Sequence, residues 1–274
     1  MRTVLSHTIH FEDRLRFAGA FWKYMDAEFE HHLNQYLVIF ERYRNELADI
    51  PSPAEWELLP FGTFARDKSW KWRRQSLREF KQLTKGKTFR NTLEIGPWNG
   101  WLTQYLAQQS EAVIGIDYFS HPYDGFGNIQ KRADNITAVQ CNVEAAGNEF
   151  KPQTFDLIVL NHCLAYTQNP VGFIQSLIPL LTKGGRIISL GNTWFGNPQK
   201  KKTENETAAK RFRESYHIGL YIGPVKGYLD RSDIDWLQKI GFLVKNSRAK
   251  LLQNLYARMR PEMPTYITLT YQNG

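Results

Sequence analysis

At 274 residues the chain is long enough to bury a sizeable core, and one large α/β domain with added elements is preferred to two small domains. Its 42% apolar and 23% charged residues argue against long disorder, and its two cysteines, Cys141 and Cys163, sit within or at the end of apolar strand-like runs, which argues against a disulfide framework or a zinc site. The formal charge of +8 points to an anionic partner such as nucleic acid, a phosphorylated metabolite or a membrane surface, and bears on association rather than fold.

The N-terminus (MRTVLSHTIHFEDRL) lacks the apolar core of a signal peptide, and no apolar run approaches the ~18 to 20 residues of a membrane span. A soluble, cytoplasmic protein is expected. From residue 11 to about 48, Leu15, Phe21, Trp22, Met25, Phe29, Leu33, Leu37 and Phe40 recur at spacings of three, four and seven, which predicts a helix. Pro51 and Pro53 end it. A second helix is predicted near 68 to 83 (KSWKWRRQSLREFKQL), closed by a turn at Lys85, Gly86 and Lys87. Residues 1–88 thus read as a helical N-terminal extension, packed on a sheet or acting as a lid.

From Asn91 the pattern changes to short apolar runs (TLEIG, AVIGID, ITAVQCN, DLIVLNH, RIISLG), with helical stretches between most of them. Such alternation predicts a doubly wound, mostly parallel sheet with right-handed crossovers. Residues 196–228 read as a long basic insertion on the substrate side. SDIDWLQKIGF is predicted to be a helix entering a strand, and FLVKNSR and TYITLTY the last two strands.

The turn Leu93-Glu94-Ile95-Gly96-Pro97-Trp98-Asn99-Gly100 follows a strand and opens a helix (WLTQYLAQ), a place where glycine lets the backbone approach a ligand. A dinucleotide fingerprint needs glycine at 96, 98 and 101, and fails at Trp98 and Trp101. An acidic-x-Gly-x-Gly-x-Gly pattern starting at Glu94 fails only at Trp98, which favours S-adenosylmethionine (SAM) over NAD. Asp117 ends the next strand 21 residues after Gly96, where a carboxylate can accept hydrogen bonds from ribose hydroxyls.

Over roughly residues 90 to 192, and more loosely to the C-terminus, the sequence resembles the class I SAM-dependent methyltransferase family, especially its small-molecule, type 11-like branch. LEIGPWNG is similar to that family's first motif and VIGIDYF to the strand ending in the ribose acid. ITAVQCNVE, FDLIVLNHCLAY and LLTKGGRIISLGNT follow as the third, fourth and fifth strands in matching order and spacing. The resemblance implies a Rossmann-like, seven-stranded fold over residues 89–274 and SAM as cofactor, with S-adenosylhomocysteine as product. It further implies that Gly96 and Gly100 face the methionine portion of SAM, with Glu94 and Trp98 in the same motif and Asp117 on the ribose. Asn142 and Val143 would bracket the adenine, with Tyr118 or Phe119 on its other face, and Asn161 would lie beside the amino-acid end. Trp98 stands where the family has a glycine, so either its indole is carried away from the cofactor or SAM binding is weakened. Asn142 replaces a frequent aspartate, although its amide oxygen can still accept a proton from adenine.

Several residues carry two readings. His162, at the carboxyl end of the fourth strand, is a candidate catalytic base or a ring packed under the cofactor. Asn142 is an adenine partner or a plain turn residue. Tyr166, Tyr216, His217 and Tyr221 line an acceptor site or are loop and lid residues. Asp156 reads as structural and Cys163 as a small buried hydrophobe. No metal-ligand cluster stands out. The favoured function is methyl transfer to oxygen or nitrogen of a small molecule. Transfer to RNA or DNA is kept open by the charge and by Trp70, Trp72, Arg73 and Arg74, although the Pro-Pro-aromatic signature of base-amine methylation is missing. A non-catalytic binding protein of the same fold is kept open by Trp98.

Overall fold

The computed structural model describes residues 2–47 and 50–274. Its centre is a sheet of ten strands: β1 (Leu15–Phe17), β2 (Trp22–Tyr24), β3 (Phe89–Ile95), β4 (Ser110–Asp117), β5 (Ile136–Cys141), β6 (Phe155–Asn161), β7 (Leu181–Phe195), β8 (Leu229–Asp230), β9 (Leu243–Asn246) and β10 (Thr265–Gln272). The spatial order is β1-β2-β5-β4-β3-β6-β7-β10-β9, with β8 beside β7. The seven expected strands are β5-β4-β3-β6-β7-β10-β9. They run parallel except for β10, which is antiparallel to β7 and β9.

The apolar runs of β3 to β7 are continuous because these central strands are covered on both faces. In β6, Ile158 and Leu160 pack into one core and Leu157 and Val159 into the other, the period of two that a pleated strand imposes. The first face is covered by α1 (Arg2–Thr8), α6 (Ala146–Glu149), α7 (Pro170–Ser176) and α9 (Arg231–Lys239), through residues such as Leu5, Phe173 and Leu237. The second is covered by α3 (Pro53–Glu57), α4 (Lys68–Leu83) and α5 (Thr103–Ala107), through Trp56, Trp70, Leu77, Phe80 and Leu106.

The predicted N-terminal helix needs correction. Residues 11 to 26 hold the β1–β2 hairpin, turned at Gly19 (φ +82), and β2 pairs in parallel with β5. Three-residue strands are too short to show a period, so the helical spacing of their aromatic residues was coincidental. The helix proper, α2 (Ala27–Glu46), starts where the Asp26 carboxylate accepts the Phe29 N–H (2.8 Å), and the predicted end near residue 48 lies outside the described residues. Of its twenty residues only Leu33, Tyr36 and Leu37 are buried, packing with Met25 as a small cluster against Phe119, Ile218 and Ile222. At roughly 1.5 to 3 kcal/mol per fully buried large apolar side chain, α2 is held far less firmly than the central strands. Two further helices, α8 (Gln199–Tyr216) within the basic insertion and α10 (Leu251–Met259) between β9 and β10, complete the chain. Among the described residues no helix is long and apolar enough to cross a membrane.

Candidate functional site

The carboxyl ends of β3, β4, β5 and β6 converge on one cavity of about 420 Å³. Gly96, Trp98, Asp117, Tyr118, Phe119, Val143, Asn161 and His162 all line it, so the structure gathers most of the residues singled out in the sequence. Of the cofactor candidates, Glu94, Gly100 and Asn142 lie outside its lining.

Gly96 has φ +72, and a Cβ there would stand 3.0 Å from Cys163 Cβ and 3.5 Å from the Asn161 carbonyl. The turn is therefore pressed onto the end of β6, which only glycine permits. Gly100, also at positive φ, was expected beside the cofactor. A Cβ there would meet Ile129 Cγ2 at 2.6 Å and Arg132 Nε at 3.2 Å, so its glycine serves the packing of the loop on the 129–132 turn. Asn142 sits behind the cavity wall, its amide oxygen accepting the Tyr118 hydroxyl (3.3 Å).

Trp98 adopts φ +47, which frees its N–H to donate to Asp117 Oδ2 (3.1 Å). Its indole stacks on Trp70 (centroids 5.6 Å apart, 23° between planes), and its ring N–H donates to Asp124 Oδ1 (3.0 Å). The Arg73 guanidinium lies over both indoles, 4.6 Å from Trp98 and 5.0 Å from Trp70. The side chain thus forms part of the cavity wall and leans toward α4. Asp124 in turn takes Arg44 of α2 through two hydrogen bonds (2.6 and 2.9 Å), which ties the loop after β4 to the helix above it. Sequence reasoning missed this latch, because neither Arg44 nor Asp124 belongs to a motif.

Two carboxylates are buried at the strand ends, Asp117 in the cavity lining and Glu94 behind it. Asp117 Oδ1 accepts the N–H groups of Tyr118 (2.7 Å) and Phe119 (3.4 Å); burial nevertheless raises its pKa to about 6 against these bonds. Glu94 is fully buried and accepts the Asn161 amide (2.9 Å), and burial pushes its pKa up to about 7. Asn161 Oδ1 is buried with no hydrogen-bond partner among the described residues, and the Thr103 hydroxyl beside Glu94 acts against the burial that raises the Glu94 pKa. Asn161 lines the cavity, so an unsatisfied acceptor with a buried carboxylate behind it suits a ligand that brings N–H donors, and the carboxylates attract positive charge when ionised.

His162 is held as a wall group. It has φ +59, its Nε2 meets the Ser76 hydroxyl at 2.9 Å, and Trp72 and Trp101 pack edge-on at 5.0 and 6.0 Å. Burial, with the Arg73 charge adding to it, lowers its pKa to about 3. Such a ring is neutral at physiological pH and a weak proton acceptor, which favours the packed reading over the catalytic one. Cys163 donates to the Ile95 carbonyl (3.3 Å), and burial raises its pKa. The Asp156 carboxylate accepts the N–H groups of Arg90 (2.8 Å) and Asn91 (3.3 Å), a structural role.

Above the strand ends, Tyr36, Phe40 and Tyr43 of α2 and Tyr166, Leu220, Tyr221 and Ile222 complete the cavity. Phe119 stacks on Phe40 (4.7 Å), and Tyr166 lies 5.9 Å from Tyr221. The other two acceptor candidates stand apart: Tyr216 bonds Glu46 and packs on Phe212, and His217 forms the left-handed cap of α8. The aromatic spacing at Tyr36, Phe40 and Tyr43 was the visible signal for the roof. Residues 218–225 also border a second cavity of about 1180 Å³, and Tyr36, Leu220, Tyr221, Ile222 and Val225 face both.

Residues 93–189 match a family model described as a methyltransferase domain. No curated protein matches the chain. Among solved structures, it is similar to phosphoethanolamine N-methyltransferase 2 of Haemonchus contortus in complex with SAM, at 14% identity and a TM-score of 0.50, over 73% of this chain and 52% of that one. The chain thus spans about half the length of the nematode protein. It is similar at 13% identity to the YcgJ protein of Bacillus subtilis (TM-score 0.50), over 73% of this chain and 98% of that one. These likenesses carry the fold, and the family match carries the domain's identity. Residues 93–189 thus match a methyltransferase domain, and the strand order, the glycine turn after β3 and the acid ending β4 give it the fold of the class I SAM-dependent methyltransferases.

Proposed function

We propose that the protein transfers the methyl group of SAM to oxygen or nitrogen of a small-molecule acceptor held beneath α2 and the 217–228 loop. The observation that carries this reading is the roofed cavity of about 420 Å³, which joins Gly96, Asp117 and Asn161 at the strand ends to an aromatic cover from α2 and the 220–222 segment. Its size falls in the range of roughly 300 to 1,000 Å³ typical of small-molecule sites.

In this reading Asp117 Oδ2, with acceptor capacity left after the Trp98 N–H, takes the ribose hydroxyls. Asn161 Oδ1 and the Glu94 carboxylate behind it hold the ammonium of the amino-acid end, and Tyr118 and Val143 border the adenine. SAM supplies a methyl group on a positively charged sulfur. The chain's part is alignment: the rigid strand ends fix the donor, and the roof holds the acceptor close to it and excludes water. His162 serves as a wall of that space. The second cavity, beyond Tyr221 and Ile222, gives a larger acceptor room to extend.

The indole of Trp98 is engaged by Trp70 and Asp124, which speaks against the non-catalytic alternative that its presence raised. The roof speaks against a polymer. Incubation with methyl-labelled SAM and a size-fractionated extract tests the proposal. Label in the low-molecular-weight fraction is expected. Label confined to RNA or DNA, with filter binding that falls steeply between low and high salt, would replace it with the nucleic-acid reading.

A further inference from the structure

The helix α10 is mounted in the opposite sense to an ordinary surface helix. Its inward side carries Asn254 and Ala257, whereas Leu251, Leu252, Leu255, Tyr256 and Met259 are exposed, Leu252 at 81% and Met259 at 75%. At ~100° per residue these five occupy one arc of about 140°. The helix is held by a polar clasp instead of an apolar face: the Asn254 amide donates to the Tyr266 carbonyl (2.9 Å) and accepts the Tyr266 N–H (2.8 Å). Met263 follows it and is exposed, and Leu243 is exposed at the start of β9, so residues 243–263 hold seven of the fifteen exposed large hydrophobic side chains among the described residues. Singly scattered surface leucines are ordinary, but a contiguous patch marks an interaction surface.

Charge identifies the partner. Lys245, Arg248, Arg258 and Arg260 are exposed in the same segment, Lys250 is half-buried, and the only acidic residue between 243 and 263 is Glu262, which pairs with Arg260 (3.6 Å). Apolar side chains on one arc, bordered by lysine and arginine on a helix too short to span a bilayer, are the pattern of a segment that lies in the membrane interface. A protein partner would match the apolar arc equally well, but a border with five basic residues and one acidic residue favours an anionic surface.

We propose that α10 and its flanks dock the protein onto anionic phospholipid membranes. Docking there would bring the active-site end of the sheet to the lipid surface. Thr265 of β10 lies opposite Trp194 at the carboxyl end of β7, and Trp72 packs on both Tyr266 (5.1 Å) and the cavity residue His162 (5.0 Å). An acceptor that partitions into the membrane then reaches the cavity without crossing bulk water.

Sedimentation of the full chain with vesicles tests the proposal independently of methyl transfer, comparing phosphatidylcholine alone with phosphatidylcholine containing phosphatidylglycerol. Binding to the anionic vesicles only is expected. Leu252→Glu with Met259→Glu, both at exposed positions, should weaken it at least tenfold. Arg248→Gln, Arg258→Gln and Arg260→Gln together should weaken it on the order of a hundredfold at low salt. Circular dichroism should show both variants folded. No pelleting, or equal pelleting with both vesicle types, overturns the proposal. So does self-association of the wild type that the Leu252→Glu, Met259→Glu pair abolishes while vesicle binding persists, because the patch would then join two copies of this chain.

Discussion

The floor and the roof of the cavity are built by different means. The floor consists of strand ends whose positions follow from backbone pairing: Gly96, Asp117 and Asn161 end or follow β3, β4 and β6, and Glu94 lies within the paired register of β3. The roof is a set of side chains from α2, α4 and the 218–225 segment, brought together by aromatic packing and by the Arg44–Asp124 pair. A floor of this kind is rigid and suits a constant ligand. The α2 part of the roof, with three buried residues among twenty and otherwise held by ion pairs and hydrogen bonds, can open, and its residues can change without disturbing the sheet.

The comparison breaks first at Asp117. Asp117→Ala should reduce SAM affinity at least a hundredfold in calorimetry, because it removes the acceptor for the ribose while the fold persists. Unchanged affinity would mean that the ribose lies elsewhere. On the roof, Tyr221→Ala should raise the acceptor KM about tenfold with SAM affinity unaltered, once an acceptor is in hand. A parallel loss of both would show that floor and roof are not separable.

Smaller effects test the electrostatics. Glu94 has its pKa raised to about 7 from the usual 4.5, so its contribution to stability is present at low pH and is lost as pH rises through 7. Glu94→Gln retains an acceptor for the Asn161 amide and removes the buried charge. It should melt a few degrees above the wild type at pH 8 and equal to it near pH 4, while binding SAM more weakly at pH 8. A lower melting temperature at pH 8 would show that the ionised carboxylate is stabilised in the fold and would overturn the raised pKa of Glu94. Smallest of all, His162→Asn, which tolerates the left-handed backbone, should leave kcat within about threefold. A hundredfold loss of kcat in a stably folded variant would restore the catalytic role.

The same division explains what the sequence disclosed. Apolar runs and glycine turns report local backbone demands, so β3 to β7, the acid at 117 and α4, predicted near 68 to 83 and found at Lys68–Leu83, were legible. The β1–β2 hairpin was not, because its strands are three residues long and their place is set by pairing with β5. The helix α10 was hidden by its own inverted mounting, since its inward contact is an asparagine clasp. Gly100 was assigned to the cofactor because a motif records that glycine is required and not which neighbour requires it; here the neighbours are Ile129 and Arg132. For Trp98 the sequence posed the question, and only the contacts with Trp70 and Asp124 answer it.

Calorimetric titration of the wild-type protein with SAM at pH 8 and at pH 5.5 tests the central claim most directly. Measurable binding is expected at pH 8 and markedly weaker binding at pH 5.5, where burial, which raises the pKa of Glu94 to about 7 and of Asp117 to about 6, leaves both largely protonated and less able to attract a cationic ligand. Absence of SAM and S-adenosylhomocysteine binding at pH 8 would contradict it.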